Sequence, residues 1–91
     1  MNKVECKKYL KKSFDSIKAQ NKSITMHNLE KLMKYQINNE TKLYIAYSKI
    51  ALYTLLNSGT SITLENLLKE VEIMPKIYNE IDAIKFADRL S

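Results

Sequence analysis

Ser23-Ile24-Thr25-Met26-His27-Asn28-Leu29-Glu30-Lys31 returns 38 positions later as Ser61-Ile62-Thr63-Leu64-Glu65-Asn66-Leu67-Leu68-Lys69, with six of nine residues unchanged. The phrase begins a helix. Thr25 and Thr63 stand at the N-cap, where a hydroxyl accepts a hydrogen bond from a first-turn N–H. Ile24 and Ile62, just before the caps, can close on Leu29 and Leu67 as hydrophobic staples. Two helix starts and the direction of the chain entering them are thereby set. The flanks differ: Lys18-Ala19-Gln20-Asn21-Lys22 precedes one copy and Leu56-Asn57-Ser58-Gly59-Thr60 the other. The echo therefore reads as one helix-start phrase used twice, in preference to an internal duplication, and two units are fewer than the roughly three a solenoid needs.

Working outward, the spacing predicts an all-α fold of five helices. The first runs from about Asn2 to Gln20, with Cys6, Leu10, Phe14 and Ile17 on one stripe. The second starts at the Thr25 cap, turns Leu29, Leu32 and Met33 inward and fades near Ile37-Asn38-Asn39. The third, over about 40–57, is apolar nearly all round (Leu43 to Leu56, interrupted by Ser48, Lys49 and Thr54), so neighbours or a partner chain must cover it on several sides. Gly59 ends it in the left-handed conformation. The fourth starts at the Thr63 cap with Leu64, Leu67, Leu68 and Val71. Pro75 suits a first helical position and predicts a fifth helix carrying Ile77, Tyr78, Ile81, Ile84, Phe86 and Leu90. The expected architecture is a single compact domain over 1–91 with the third helix as hub.

Ninety-one residues suit one core. With one Gly, one Pro and 45% hydrophobic residues, long low-complexity segments are not expected. A single Cys forms no internal disulfide, and neither a signal peptide nor an apolar run of about 20 residues is present, which implies a cytoplasmic protein without a membrane partner. Catalysis finds little support. His27 is the sole His, Cys6 lies on an apolar stripe, and one Gly excludes a Gly-rich phosphate loop. Too few His and Cys exist for a metal site, which takes three or four ligands. Glu65, Glu70 and Glu72 read as a solvated face. No enzyme activity, cofactor or metal is expected.

Charge is the functional signal. Residues 1–22 hold seven Lys against Glu5 and Asp15, whereas residues 23–91 balance eight bases with eight acids. The whole +5 excess thus falls on a basic amphipathic first helix and its exit. Lys3, Lys7 and Lys11 align on one face, with Lys8, Lys12 and Lys18 nearby. Such asymmetry marks a surface for a polyanion. Lysine is a point charge where arginine is a fork, so nucleic-acid contacts of this helix would go to phosphates rather than base edges. Six Tyr form a second signal. Tyr44, Tyr47 and Tyr53 on the third helix either fill the core, the preferred reading, or line a homodimer or partner interface, where Tyr is favoured.

The stretch Lys49-Ile50-Ala51-Leu52-Tyr53-Thr54-Leu55-Leu56-Asn57-Ser58-Gly59, then Ser61 to Val71, then Ile73-Met74-Pro75-Lys76-Ile77-Tyr78, resembles the three-helix core of helix-turn-helix proteins, similar to the winged-helix type with the wing absent. The resemblance covers 41–91. It implies that the fifth helix is a recognition helix with Lys76, Asn79 and Tyr78 near its N-terminal end. Glu72 stands where the turn of that motif commonly holds Gly, and residues 61–91 carry four bases against six acids. The expectation is a small DNA-binding regulator or accessory protein, of the size and composition of phage or plasmid proteins, that grips phosphates through Lys3, Lys7, Lys8, Lys11, Lys12 and Lys18. The alternative is an interaction module or inhibitor that docks on an acidic protein surface.

Overall fold

A computed structural model describes residues 2–36 and 42–90. The chain is all-α: α1 Lys3–Ala19, α2 Met26–Gln36, α3 Lys42–Ser58, α4 Leu64–Ile77 and α5 Glu80–Asp88. The expected fading of the second helix at Ile37-Asn38-Asn39 and the onset of the third at Glu40 lie outside the described residues.

Both echoed phrases fold identically. The Asn28 N–H donates to Thr25 Oγ1 at 3.1 Å, and the Asn66 N–H to Thr63 Oγ1 at 3.1 Å. Each Asn side chain also reaches back: Asn28 Nδ2 to the Ser23 carbonyl and Asn66 Nδ2 to the Ser61 carbonyl, both 2.9 Å. Leu29 and Leu67 enter the core fully buried, with Ile24 and Ile62 packed against it. Sequence reasoning assigned the Thr and the staple but gave the Asn no role.

The likeness extends further back than the sequence expectation allowed. The turn after α1 holds Asn21 at φ 56° and the turn after α3 holds Gly59 at φ 69°. The next residue in each case bonds back five positions, Lys22 N–H to the Ile17 carbonyl at 3.1 Å and Thr60 N–H to the Leu55 carbonyl at 3.0 Å. Both are Schellman closures with a left-handed residue, which Gly and Asn adopt most readily. Nothing lies near a Cβ built on Gly59, so its backbone angle, not crowding, is what favours glycine there.

Burial repeats at the same offset. Cys6 and Tyr44, Phe14 and Leu52, Ile17 and Leu55, Leu29 and Leu67, and Met33 and Val71 all belong to one core. α1 packs on α2 and α4, and α3 packs on α4 and α2. These contacts are preserved when α1 is exchanged for α3 and α2 for α4, as an approximate two-fold requires. The nine-residue echo is the visible part of two equivalent helical hairpins, α1–α2 and α3–α4, and is not confined to capping.

The third helix is the hub, as its composition implied. One side joins the shared core through Ala51, Leu52 and Leu55. The other, through Ala46, Tyr47 and Ile50, packs with Met74, Ala83 and Ala87 in a second cluster under α5.

The start of the fifth helix is corrected. Pro75 lies inside the last turn of α4, which continues to Ile77 because Met74 is buried in the second cluster. A proline so near a helix end forfeits one backbone hydrogen bond, and the closing bond from the Tyr78 N–H to the Met74 carbonyl, 2.9 Å, remains. α5 begins instead at the Asn79 cap, whose Oδ1 accepts from the Asp82 N–H at 2.8 Å.

Candidate nucleic-acid interface

The α1 lysines divide into two groups. Lys3 and Lys7 flank the α1–α4 seam and pair with Glu72 of α4, Lys3 at 3.5 Å and Lys7 in close contact. The hydrogen bond from Lys7 and the two ammonium charges hold the Glu72 carboxyl below its ordinary range. The expected solvated acidic face therefore includes one carboxylate that neutralises part of the basic helix. Lys8, Lys11 and Lys12 project outward, exposed and with no ion-pair partner among the described residues. Lys18 lies over the Phe14 ring, its Nζ 5.8 Å from the centroid, while its head stays in solvent. Asp15 is the acidic member of this exposed face.

The residues named from the helix-turn-helix resemblance take other positions. Lys76 is exposed in the last turn of α4, and Asn79 is committed to capping: besides its Oδ1 bond, its Nδ2 donates to the Asp82 carboxylate at 3.0 Å. The first turn of α5 carries Glu80 and Asp82, which favour the positive end of the helix dipole and repel phosphate there.

The tyrosines of α3 belong to the core. Tyr44 is buried and donates to a Glu5 carboxylate oxygen at 3.2 Å, with its ring 6.1 Å from that of Tyr9. Tyr47 is buried and donates to the Tyr78 carbonyl at 3.0 Å. Burial, above all, raises both phenols. Tyr53 is half-buried, edge-on to Phe86 at 5.5 Å. Of the two readings, core and interface, burial favours the core for Tyr44 and Tyr47, which have little area to offer a partner, while Tyr53 keeps part of its surface. The exposed aromatic is Tyr35, 79% accessible at the end of α2 beside Lys31 and Lys34. Its neighbour Gln36 donates to Ser13 Oγ at 2.8 Å, which fastens this end of α2 to the middle of α1.

Cys6 is fully buried, and desolvation pushes its thiol up to about 12, against smaller lowering by Ser48 and Lys7. A thiol so protonated is a poor nucleophile. Among the described residues no group of three or more His, Cys, Asp or Glu could hold a metal ion, and no helix is long and apolar enough to cross a membrane.

Sequence reasoning missed the one buried charge among the described residues. Lys49, 3% exposed in the middle of α3, meets Glu30 of α2 at 3.4 Å, and the same Glu30 oxygen takes Lys34 at 3.5 Å. The available signal was a lysine interrupting an otherwise apolar helix. Comparison with family models, curated proteins and solved structures found no match.

Proposed function

We propose that the protein is a small, non-enzymatic nucleic-acid-binding accessory or regulatory protein that holds phosphates on the outer face of α1. One observation carries this reading: Lys8, Lys11 and Lys12 share an exposed helical face without an ion-pair partner among the described residues, while the lysines nearer the seam are drawn to Glu72. Lysines without arginines favour backbone contacts, so binding is broad in sequence and strongly salt-dependent. Base reading by α5 receives no support from its acidic, self-capped N-terminus.

The rival reading, docking on an acidic protein, relied on the α3 tyrosines as anchors, and two of the three lie in the core. The test is fluorescence anisotropy of labelled duplex and single-stranded DNA across a salt series, with wild type and Lys8→Glu/Lys11→Glu/Lys12→Glu. Micromolar binding that the triple variant loses with unchanged helix content supports the proposal. Equal binding by the triple variant, or none by wild type at low salt, removes it.

A further inference from the structure

Between α2, α3 and α5 lies a cavity of about 240 Å³ that the nucleic-acid reading does not use. Its charged lining is Glu30, Lys34, Lys42 and Lys49, with Asp88 at the α5 side; Ile45 and Ile84 supply apolar wall. We propose that this cavity binds a small organic acid. Its carboxylate or phosphate head is held by Lys49 with Lys42, and its short apolar body lies against Ile45 and Ile84.

The argument starts from Lys49. A buried ammonium is tolerated when it is both paired and hydrogen-bonded. Lys49 brings three N–H donors into the cavity wall, and its one ion pair among the described residues, to Glu30 at 3.4 Å, is longer than the 2.7–2.9 Å of a good charge-assisted bond. That Glu30 oxygen is shared with Lys34 at 3.5 Å. Among the described residues the Lys49 ammonium, with three donors, therefore has one shared carboxylate oxygen as its ion-pair partner. Lys42, exposed on the rim, has no ion-pair partner among the described residues.

Among the described residues three ammonium groups face two carboxylates, one of them already bridging two of the lysines, which selects an anion over a cation. The apolar wall selects an acid with a hydrocarbon or aromatic body over a bare ion. The cavity volume limits the ligand to about ten non-hydrogen atoms, for which a Kd near a millimolar is the ordinary scale.

The experiment uses the full chain, ¹⁵N-labelled, titrated at constant ionic strength with benzoate, with acetate and with inorganic phosphate. Saturable amide shifts centred on Ile45, Lys49 and Ile84, with benzoate tighter than acetate, are expected. Lys49→Met, checked for native helix content, should weaken binding by about tenfold or more. Lys42→Ala, on the rim and harmless to the core, should weaken it several-fold, which keeps the proposal testable if the core variant misfolds. Inorganic phosphate binding as tightly as benzoate would show that the apolar wall takes no part, and would overturn the proposal of an organic acid. Shifts that fail to saturate, that gather on Lys8, Lys11 and Lys12, or that survive unchanged in Lys42→Ala overturn it. Nucleic-acid binding is read separately, through the α1 triple variant, so loss of either proposal leaves the other standing.

Discussion

Thr25→Ala and Thr63→Ala should destabilise the protein by equal amounts. Each removes one Oγ1 acceptor from a first-turn N–H, at 3.1 Å in both hairpins, and each leaves the Asn-to-Ser bond of 2.9 Å in place. A lost Thr cap costs about 1 kcal/mol. The caps start different helices and share no hydrogen-bond partner, so the double variant should lose about 2 kcal/mol, the sum of the singles. For a chain of this length, total stability is about 5 to 14 kcal/mol, and each lost kcal/mol lowers Tm by about 4 to 8 °C. Thermal and urea unfolding followed by circular dichroism resolve both quantities. Asn28→Ala and Asn66→Ala extend the comparison, each giving up a side-chain bond of about 1 kcal/mol. The reasoning is refuted if one member of either pair costs under about 0.3 kcal/mol while its counterpart costs over about 1.5, because the hairpins would then not be held in the same way.

The exposed lysines set a salt slope. Duplex binding through Lys8, Lys11, Lys12 and Lys18 should give log Kobs against log salt near −3.6, about −0.9 per phosphate, and near −5.4 if Lys3 and Lys7 also took part; anisotropy measures this directly. Glu72→Gln should free Lys3 and Lys7 and steepen the slope by up to about two units, so an unchanged slope would show that the pair does not compete with phosphate.

At the buried ion pair, Glu30→Gln should cost about 3 kcal/mol or more by stranding the Lys49 ammonium, whereas Lys49→Met should stay within about 1 kcal/mol of wild type because Glu30 keeps Lys34. Urea unfolding separates these outcomes, and equal losses would contradict the asymmetry. For Cys6, burial raises the thiol from 9.0 to about 12 in the folded chain. Between those pH values the unfolded chain gives up its proton first, so stability falls as pH rises, by about 1.4 kcal/mol per unit, and is unaffected by this group below pH 9. Comparing pH-dependent urea melts of wild type and Cys6→Ala should show this extra slope only in wild type.

The fold was largely legible because its determinants are local. Thr caps, staples and apolar stripes act over one or two turns and set the course of α1 and the starts of α2 and α4. Pro75 misled because proline is favoured at a helix start, whereas α4 carries it in its last turn at the loss of one backbone hydrogen bond, with Met74 buried beside it. The equivalence of the hairpins was half hidden because Asn21 and Gly59 look unlike in sequence yet share a positive φ.

The site was less legible. Helical spacing located the lysines on α1 but could not see Glu72 reaching Lys3 and Lys7 from α4, a contact made only by folding. The same holds for Lys49, whose inward position depends on Glu30 from another helix. Tyr44 and Tyr47 were open between core and interface because an amphipathic side chain suits both, and their acceptors, Glu5 and the Tyr78 carbonyl, are distant in sequence.

The 38-residue correspondence also gives the basic face an ancestry in geometry. Ala46 and Tyr47, together with Ile50, form the seat on which α5 lies. Their counterparts on α1 are Lys8, Tyr9 and Lys12, where two of the three side chains are exposed charges. One hairpin closes its outer flank with a further helix; the other meets that flank with lysine and water. The exposed charge of α1 thus occupies the flank that, in the other hairpin, α5 covers.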